Sequence, residues 1–429
     1  MMGLTCEALA GVPMTHTTDE PFAPPMATNW WAEVQACHDP IAYRFFTAPP
    51  LATAEGLHAE LYLRLPERDQ VVPLHALGAP VTHQWYPDRV VRWMEHDGLR
   101  FSSLMTLAPD RDVLLLEIVV ENLRPTARSG LRLFLKLLSG VQRLVDFSSW
   151  NTVALPVAAT RVDVDRNAFV FVGEGPACSV QGTDRPSRSY RSSVAYAEWL
   201  GDANLNGIVS NRVRSPSVVA GLEYEVDLAP GERWRLRYVN ALAEREETAL
   251  AWYDETHRSF DDVVRAARRA WERELAAAFT PGNDRFSGHL PTVEGVHAAV
   301  ERVYLTGALN LLFMKRTGPR NRFGTTYKTI SPRSGATSWL WDTQQAAAGL
   351  VHLDPLALRT MVEWWMQTDI HRCWGTNYVD GSPLGPWYSV NDYALFSMSY
   401  DYLRYSGDLA WLDRRVGEAT VLDHLRRCA

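Results

Sequence analysis

The chain has 429 residues, of which 46% are hydrophobic and 22% charged. This composition is typical of globular proteins, and the length predicts about two domains. No apolar run approaches the roughly 20 residues that cross a bilayer, which excludes a membrane-spanning segment and a membrane partner. The formal net charge is −7, from 50 acidic and 43 basic residues. Because the basic residues are scattered rather than clustered, nucleic acid is excluded as a partner.

Short β-rich runs separated by turn residues extend from residue 29 to about residue 257, after an N-terminal tail over 1–28. The clearest is Arg233 to Val239, where Trp234, Leu236 and Tyr238 alternate with arginines. The turn Ala229-Pro230-Gly231-Glu232 has the type II sequence and predicts that this strand pairs with Leu222 to Leu228. We therefore expect a large antiparallel β-sandwich, or super-sandwich, over 29–257.

The hydrophobic period changes to that of a helix at Ser259, which predicts a linker helix and loop over 258–291. From residue 292 to residue 429 the chain indicates successive helices. One predicted stripe begins at Val293 and includes Val296, Val300 and Val303, and Asp354-Pro355 has the N-cap and N1 residues of another helix. Long and short connections alternate, as they do in helical hairpins whose loops build a site on one side.

Tryptophan is unusually frequent, with 16 in the chain. Seven lie in the last 91 residues: Trp339, Trp341, Trp364, Trp365, Trp374, Trp387 and Trp411. Trp364, Trp365 and Trp411 have the spacing of helix core residues, so packing explains them. The others adjoin two loop-to-helix junctions, where flat aromatic faces beside Asp, Asn and Gln suit sugar rings and their hydroxyl groups. The predicted carbohydrate-binding residues are Trp339, Trp341, Asp342, Trp387, Asn391 and Asp392.

Asp342 and Asp392 both stand in the first turn of a predicted helix. One explanation is structural, because the helix dipole favours a carboxylate there. The other is chemical, because glycoside hydrolysis needs two carboxyl groups, about 6.5–9.5 Å apart for inversion and about 5–5.5 Å for retention. Sequence spacing leaves both explanations open.

Five widely separated cysteines have no metal-type spacing, so neither a disulfide framework nor a metal site is expected, and no cofactor motif is present. The N-terminus lacks the basic stretch of a secretory signal, which predicts a cytoplasmic protein. Nothing in the sequence predicts an oligomeric state.

The order of sandwich, linker helix and helical hairpins resembles the six-hairpin (α/α)6 glycosidases and disaccharide phosphorylases. The segment Trp339-Leu340-Trp341-Asp342, followed by Leu353-Asp354-Pro355, is similar to the corresponding segment of glycoside hydrolase family 63, including mannosylglycerate-hydrolase-like proteins. The resemblance implies that Asp342 binds the hydroxyls of the glycone and that Trp341 and Trp339 line its subsite.

A second segment, from Asn391-Asp392-Tyr393 to Ser406-Gly407-Asp408, is similar to the fourth barrel helix of families 63, 65, 94 and 15. In family 94 phosphorylases an Asp at this junction is the general acid, whereas in the other families the junction binds substrate. Asp392 therefore has two implied roles, one catalytic and one in substrate binding.

A complete barrel of twelve helices needs roughly 200 residues, and residues 292–429 supply 138. We expect an incomplete (α/α)6 toroid, a fragment whose catalytic acid and base lie beyond Ala429, with apolar helix faces left unburied. The main hypothesis is an inverting hydrolase of small α-linked glycosides or oligosaccharides. The alternatives are a phosphorylase like families 65 and 94, with Asp392 as general acid, and a catalytically incomplete carbohydrate-binding fragment.

Overall fold

The computed structural model describes residues 4–17, 24–53, 57–64, 71–141, 157–193, 218–328 and 336–428. The chain divides into two compact units. The β unit contains the described residues of Ala10–Val145 and Val153–Arg269, and the helical unit contains those of Met1–Leu9 and Ala270–Ala429. The fold therefore combines a β-sandwich with a helical domain, and the domain boundaries stated above remain predictions, as does closure into a toroid.

The β unit consists of antiparallel strands. In chain order they are β1 (Met14–His16), β2 (Met26–Thr28), β3 (Glu33–Ala36), β4 (Tyr43–Ala48), β5 (Ala52–Thr53), β6 (Glu60–Arg64), β7 (Val71–Pro73), β8 (Val81–Tyr86), β9 (Arg89–His96), β10 (Leu99–Leu107), β11 (Val113–Asn122), β12 (Arg128–Leu138), β13 (Val157–Asp163), β14 (Ala168–Gly173), β15 (Cys178–Thr183), β16 (Ser189–Ser193), β17 (Val219–Leu228) and β18 (Arg233–Ala243). Strands β1 and β2 fall within the segment predicted as a tail.

These strands form three sheets. Nine strands are ordered β1-β8-β9-β10-β11-β18-β15-β14-β13, five are ordered β16-β17-β12-β6-β7, and four are ordered β2-β3-β4-β5. Alternate residues of the two larger sheets meet in one buried apolar core, which includes Leu116, Leu133, Leu222 and Leu236. This period of two is the pattern that predicted the sandwich.

The turn at Ala229–Glu232 forms as predicted, but the prediction that its two flanking strands pair with each other was wrong. Glu232 N donates to Ala229 O at 3.0 Å, and Gly231 has the left-handed φ of 73°. Strand β17 pairs with β12 and β16, whereas β18 pairs with β11 and β15. Asn122 forms hydrogen bonds with the backbone on both sides of the turn. Its Nδ2 donates to Leu228 O at 3.1 Å, and its backbone carbonyl accepts from Gly231 N at 2.9 Å. The turn therefore connects two sheets.

Two helices follow β18, α1 (Glu246–Arg258) and α2 (Phe260–Ala278). Only the second was predicted, because the predicted β-sandwich extends to residue 257 and so includes the residues of α1. The acidic first turn of α1 and the spacing of its buried residues Ala249, Tyr253 and Thr256 are both helical signals. The hydroxyl of Ser259 donates to Glu255 O at 2.7 Å and its carbonyl accepts from Val263 N at 3.0 Å, so this residue joins the end of α1 to the start of α2.

A buried charged cluster lies inside the β unit. Lys136 and Glu60 are fully buried and ion-paired, and Glu60 also accepts from the Tyr62 hydroxyl at 2.9 Å. The His75 Nδ1 atom lies 3.2 Å from Glu60 and 3.4 Å from Asp39. Burial lowers the pKa of His75, but the two carboxylates outweigh it and raise the pKa to about 9.

The helical unit contains α3 (Ala298–Met314), α4 (Leu340–Leu353), α5 (Pro355–Gln367), α6 (Asn391–Ser406) and α7 (Val421–Arg427), with a 3₁₀ turn at Leu409–Asp413. Its short strands are β19 (Lys315–Arg316), β20 (Thr326–Tyr327), β21 (Thr337–Trp339), β22 (Gly375–Asn377), β23 (Pro383–Leu384), β24 (Arg415–Val416) and β25 (Ala419–Thr420). No helix of the described chain is long and apolar enough to cross a membrane.

The predicted apolar stripe on α3 is buried only in its C-terminal half. Leu311 and Met314 are buried, whereas Val300 is 55% and Val303 is 72% exposed. Helix α6 also has an exposed aromatic stripe, which consists of Tyr393, Phe396 and Tyr400. The expected unburied apolar faces are therefore present on the described helices.

Helix α5 begins at Pro355 as predicted, but Asp354 does not cap it with its side chain. The Asp354 carboxylate accepts hydrogen bonds from Ser287 Oγ at 2.6 Å and the Tyr327 hydroxyl at 3.0 Å. Ser287 Oγ in turn accepts from Leu356 N at 2.9 Å. A residue 69 positions away in sequence therefore supplies the cap.

We predict that Lys136→Met lowers the free energy of unfolding by about 3–5 kcal/mol, because it removes the ammonium group that is paired with the buried Glu60 carboxylate. Arg161→Met breaks the exposed pair with Glu246 and should cost less than about 1 kcal/mol. Urea denaturation of both variants measures the difference. Equal costs would show that the buried pair has no special role.

We also predict that stability falls as the pH rises from about 7 to 10. The folded pKa of His75, about 9, lies above the usual value of 6.5, so its contribution is complete below about pH 6.5 and is lost as the pH passes through about 9. Denaturation at pH 7 and pH 10 tests this. In His75→Gln the dependence should flatten, and an unchanged slope in that variant would contradict the assignment.

Candidate functional site

Helices α4 and α6 pack side by side and run in the same direction. Gln344 Nε2 donates to Ser397 Oγ at 3.2 Å, and the rings of His352 and Tyr405 lie 4.7 Å apart. Both contacts join residues 53 positions apart, so the two helices advance together. Their N-terminal ends, which carry Asp342 and Asp392, therefore lie at the same end of the helix pair.

The loop over residues 370–374 connects these two helix starts. Asn391 Nδ2 donates to Ile370 O at 2.7 Å and to Cys373 O at 2.6 Å. Leu340 N donates to the next carbonyl, Trp374 O, at 3.4 Å. Strand β21, immediately before α4, pairs with β22, immediately after the loop. We call this end of the helical unit, with residues 337–342, 370–377 and 385–393, the aromatic rim.

Two of the predicted tryptophans are exposed on the aromatic rim. Trp341 is 38% and Trp387 is 52% exposed, and Tyr388 beside the latter is 47% exposed. Trp339 is half-buried and stacks on Trp374, with ring centroids 5.0 Å apart and planes 15° from parallel. Trp341 and Trp387 thus expose part of their indole rings to solvent, whereas Trp339 packs within the rim.

Asp392 has a partner that the sequence analysis missed. The His371 Nε2 atom lies 3.0 Å from Asp392 Oδ1 and 3.2 Å from Oδ2. His371 is more than half exposed, so the pair is accessible to solvent. Cys428 lies nearby, and burial together with the Asp392 charge raises the pKa of its thiol to about 11. No motif could have indicated the histidine, because it lies 21 positions before Asp392 in the sequence and no local pattern joins the two.

Asn391 and Asp342 differ in their surroundings. Asn391 is fully buried, and its amide nitrogen supports the loop, so its predicted contact with substrate remains a prediction. Asp342 lies in the first turn of α4 with a partly exposed side chain, where the helix dipole favours a carboxylate.

The mid-helix tryptophans pack as predicted. Trp365 and Trp411 are buried, and their indole nitrogens donate to Thr376 Oγ1 at 3.0 Å and Glu363 Oε1 at 2.9 Å. Trp364 is half-buried and donates to Gly381 O at 2.7 Å. Among the residues that the structure describes, no cluster of His, Cys, Asp and Glu could hold a metal ion.

A glycine permits the close packing of the rim loop on Trp374. Gly385 has a left-handed φ of 72°, and a Cβ atom there would lie 1.9 Å from the indole ring. Any side chain must therefore displace Trp374 and, with it, the stacked Trp339.

We predict that Gly385→Ala disturbs the rim more than backbone strain alone explains. Gly407→Ala is the matched control, since Gly407 has a similar φ of 69° but open space around the position of a Cβ atom. The control should cost roughly 1 kcal/mol and leave the near-UV circular dichroism unchanged. Gly385→Ala should cost more and alter the tryptophan signal. Identical behaviour of the two variants would contradict the packing argument.

Comparison with known proteins concerns the fold. No protein-family model matches the sequence, and no curated protein matches it. A solved structure assigned as a kojibiose phosphorylase from the human microbiome is similar, with a TM-score of 0.54 and 11% identity, over 94% of this chain and 56% of that one. A bacterial glucoamylase complexed with acarbose is also similar, with a TM-score of 0.58 and 10% identity, over 92% of this chain and 60% of that one.

The chain thus shares its β-sandwich and helical arrangement with these two structures and spans a little more than half of their length. At these identities the likeness concerns the fold alone and does not extend to family 63 specifically.

Proposed function

We propose that the protein is a carbohydrate-active enzyme, a glycoside hydrolase that acts on a small α-linked glycoside or oligosaccharide by inversion. The observation that carries this proposal is the position of two carboxylate-bearing helix starts at one end of the parallel pair α4 and α6, beside the exposed Trp341 and Trp387. The fold shared with a phosphorylase and a glucoamylase supports it.

In this proposal the exposed indole faces stack on the C–H faces of sugar rings, and Asp342 accepts hydrogen bonds from the glycone hydroxyls. Inversion further requires an acid and a base about 6.5–9.5 Å apart, with a water molecule between the base and the anomeric carbon. The proposal assigns Asp342 to substrate binding and leaves the acid and base to carboxyl groups other than Asp342.

The contact of His371 with both Asp392 oxygens bears on the role of Asp392. With a proton on Nε2, His371 donates to the carboxylate and holds it as an acceptor, which suits binding of sugar hydroxyls. With the proton on the carboxyl group instead, Asp392 donates to Nε2 and carries the proton that a general acid needs, so the contact is compatible with both implied roles of Asp392.

A disaccharide phosphorylase is the second candidate. It is favoured by the position of Asp392 at the junction where a family 94 enzyme carries its acid, and by the likeness to a structure assigned as a phosphorylase. In that version Asp392 protonates the leaving sugar, and phosphate replaces water as the nucleophile. A third candidate is carbohydrate binding without turnover.

We predict that Asp342→Asn weakens the binding of acarbose or maltose roughly 10- to 100-fold, the effect of losing a charged hydrogen bond. Asp413→Asn, at an exposed aspartate in the helical unit, is the control and should bind as the wild type does. Isothermal titration calorimetry and saturation-transfer NMR measure both variants. Unchanged binding by Asp342→Asn would overturn the proposed role of Asp342.

Turnover assays separate the candidates. Sugar release that is independent of phosphate supports hydrolysis, and phosphate-dependent formation of a sugar 1-phosphate supports the phosphorylase. Binding without either product supports the third candidate.

A further inference from the structure

The outer face of the nine-stranded sheet, which points away from the sandwich core, has two chemically different parts. On β11 the outward residues Val113 and Leu115 are apolar, and on β18 so are Val239 and Ala241; helix α1 covers this part. Further along the same strands the outward residues are charged, except Val119 on β11. Side chains still alternate between the two faces along each strand. The change from apolar to charged outward residues therefore marks the point where α1 no longer covers the sheet.

The open part of this face contains a tryptophan in a row of cross-strand neighbours. Trp93 on β9 lies opposite Ser102 on β10, Ser102 lies opposite Val119 on β11, and Val119 lies opposite Arg235 on β18. Trp93 and Val119 are half-buried, and Ser102 between them is small. The row therefore forms a shallow groove with an aromatic side and an apolar floor.

Charged side chains surround the groove in alternating signs. The carboxylate of Glu121 lies 3.1 Å from Arg233 Nη2 and 4.0 Å from Arg100 Nη1. The carboxylate of Glu117 lies 3.6 Å from Arg235 Nε. These ion pairs join the charged side chains along the groove. Both hydrogen-bond donors and acceptors thus face the same space.

We propose that this groove, defined by Trp93, Arg100, Ser102, Glu117, Val119, Glu121, Arg233 and Arg235, is a second carbohydrate-binding surface, for a neutral oligosaccharide. A sugar ring has an apolar face that stacks on an indole, and hydroxyl groups that both donate and accept. The two carboxylates disfavour a polyanion, since they stand between the arginines.

The groove lies wholly within the β unit and contains no residue of the aromatic rim. The proposal therefore does not depend on the proposed enzymatic function, and either can fail alone. Its ligand would be bound for attachment or positioning rather than for reaction.

The experiment uses the full chain and affinity electrophoresis in gels containing soluble starch, supported by saturation-transfer NMR with maltoheptaose. Trp93→Ala should weaken binding at least about tenfold, and Trp93→Tyr should keep most of it because the flat ring remains. Arg188→Ala, on an exposed ion pair of the β unit outside the groove, should have no effect. Circular dichroism verifies that each variant is folded.

Two further measurements separate the possible failures. One repeats the binding assays in an Asp342→Asn background, and the other tests binding of the polyanion dextran sulfate. Each Trp93 variant is also made with Asp342→Asn, so that residual binding by the rim is removed. A loss with Trp93→Ala in both backgrounds supports the groove even where Asp342→Asn alone changes nothing. Equal binding by Trp93→Ala and the wild type in both backgrounds overturns the proposal, and so does binding of dextran sulfate without binding of neutral sugar.

Discussion

The candidate site depends on the hydrogen bonds between one loop and the starts of two helices. The buried amide of Asn391 donates to two carbonyls of that loop, and the next carbonyl accepts from the first turn of α4. Since a buried loop carbonyl without a partner is costly, these bonds hold the loop against both helices. The parallel packing of α4 and α6 then makes the two N-terminal ends neighbours. Without this arrangement Asp342 and Asp392 would be two ordinary first-turn carboxylates.

In the β unit, the polarity of the outward side chains changes along the strands of the nine-stranded sheet. Along β11 and β18 the outward side chains are apolar under α1 and, apart from Val119, charged beyond it, so one sheet face serves both for packing and for contact with solvent. The lysines, by contrast, are not surface residues. All three in the chain, Lys136, Lys315 and Lys328, are buried. Every exposed side-chain cation of the described Lys and Arg residues is therefore an arginine, whose planar group can bind acceptors in pairs.

Aromatic residues have three different roles in the helical unit. Trp365 and Trp411 fill the interior and satisfy their indole nitrogens, and Trp339 stacks on Trp374 to build the rim. Trp341 and Trp387 remain exposed beside carboxylates. Burial of an indole removes apolar surface from water and stabilises the fold, whereas an exposed indole does not contribute this term. Packing inside the helical unit therefore accounts for the buried tryptophans but not for this exposed pair.

Local patterns in the sequence determined the β-sandwich, the helices after residue 292, the turn at Gly231 and the two junctions, because the period of apolar residues and the residues of turns act over a few positions. They also contained the signals of α1, which the competing strand pattern obscured. Only the tertiary structure decided that β17 and β18 separate into different sheets, that Ser287 caps α5, and that His371 meets Asp392. These outcomes depend on partners that are distant along the chain, where sequence spacing carries no information about which atoms meet.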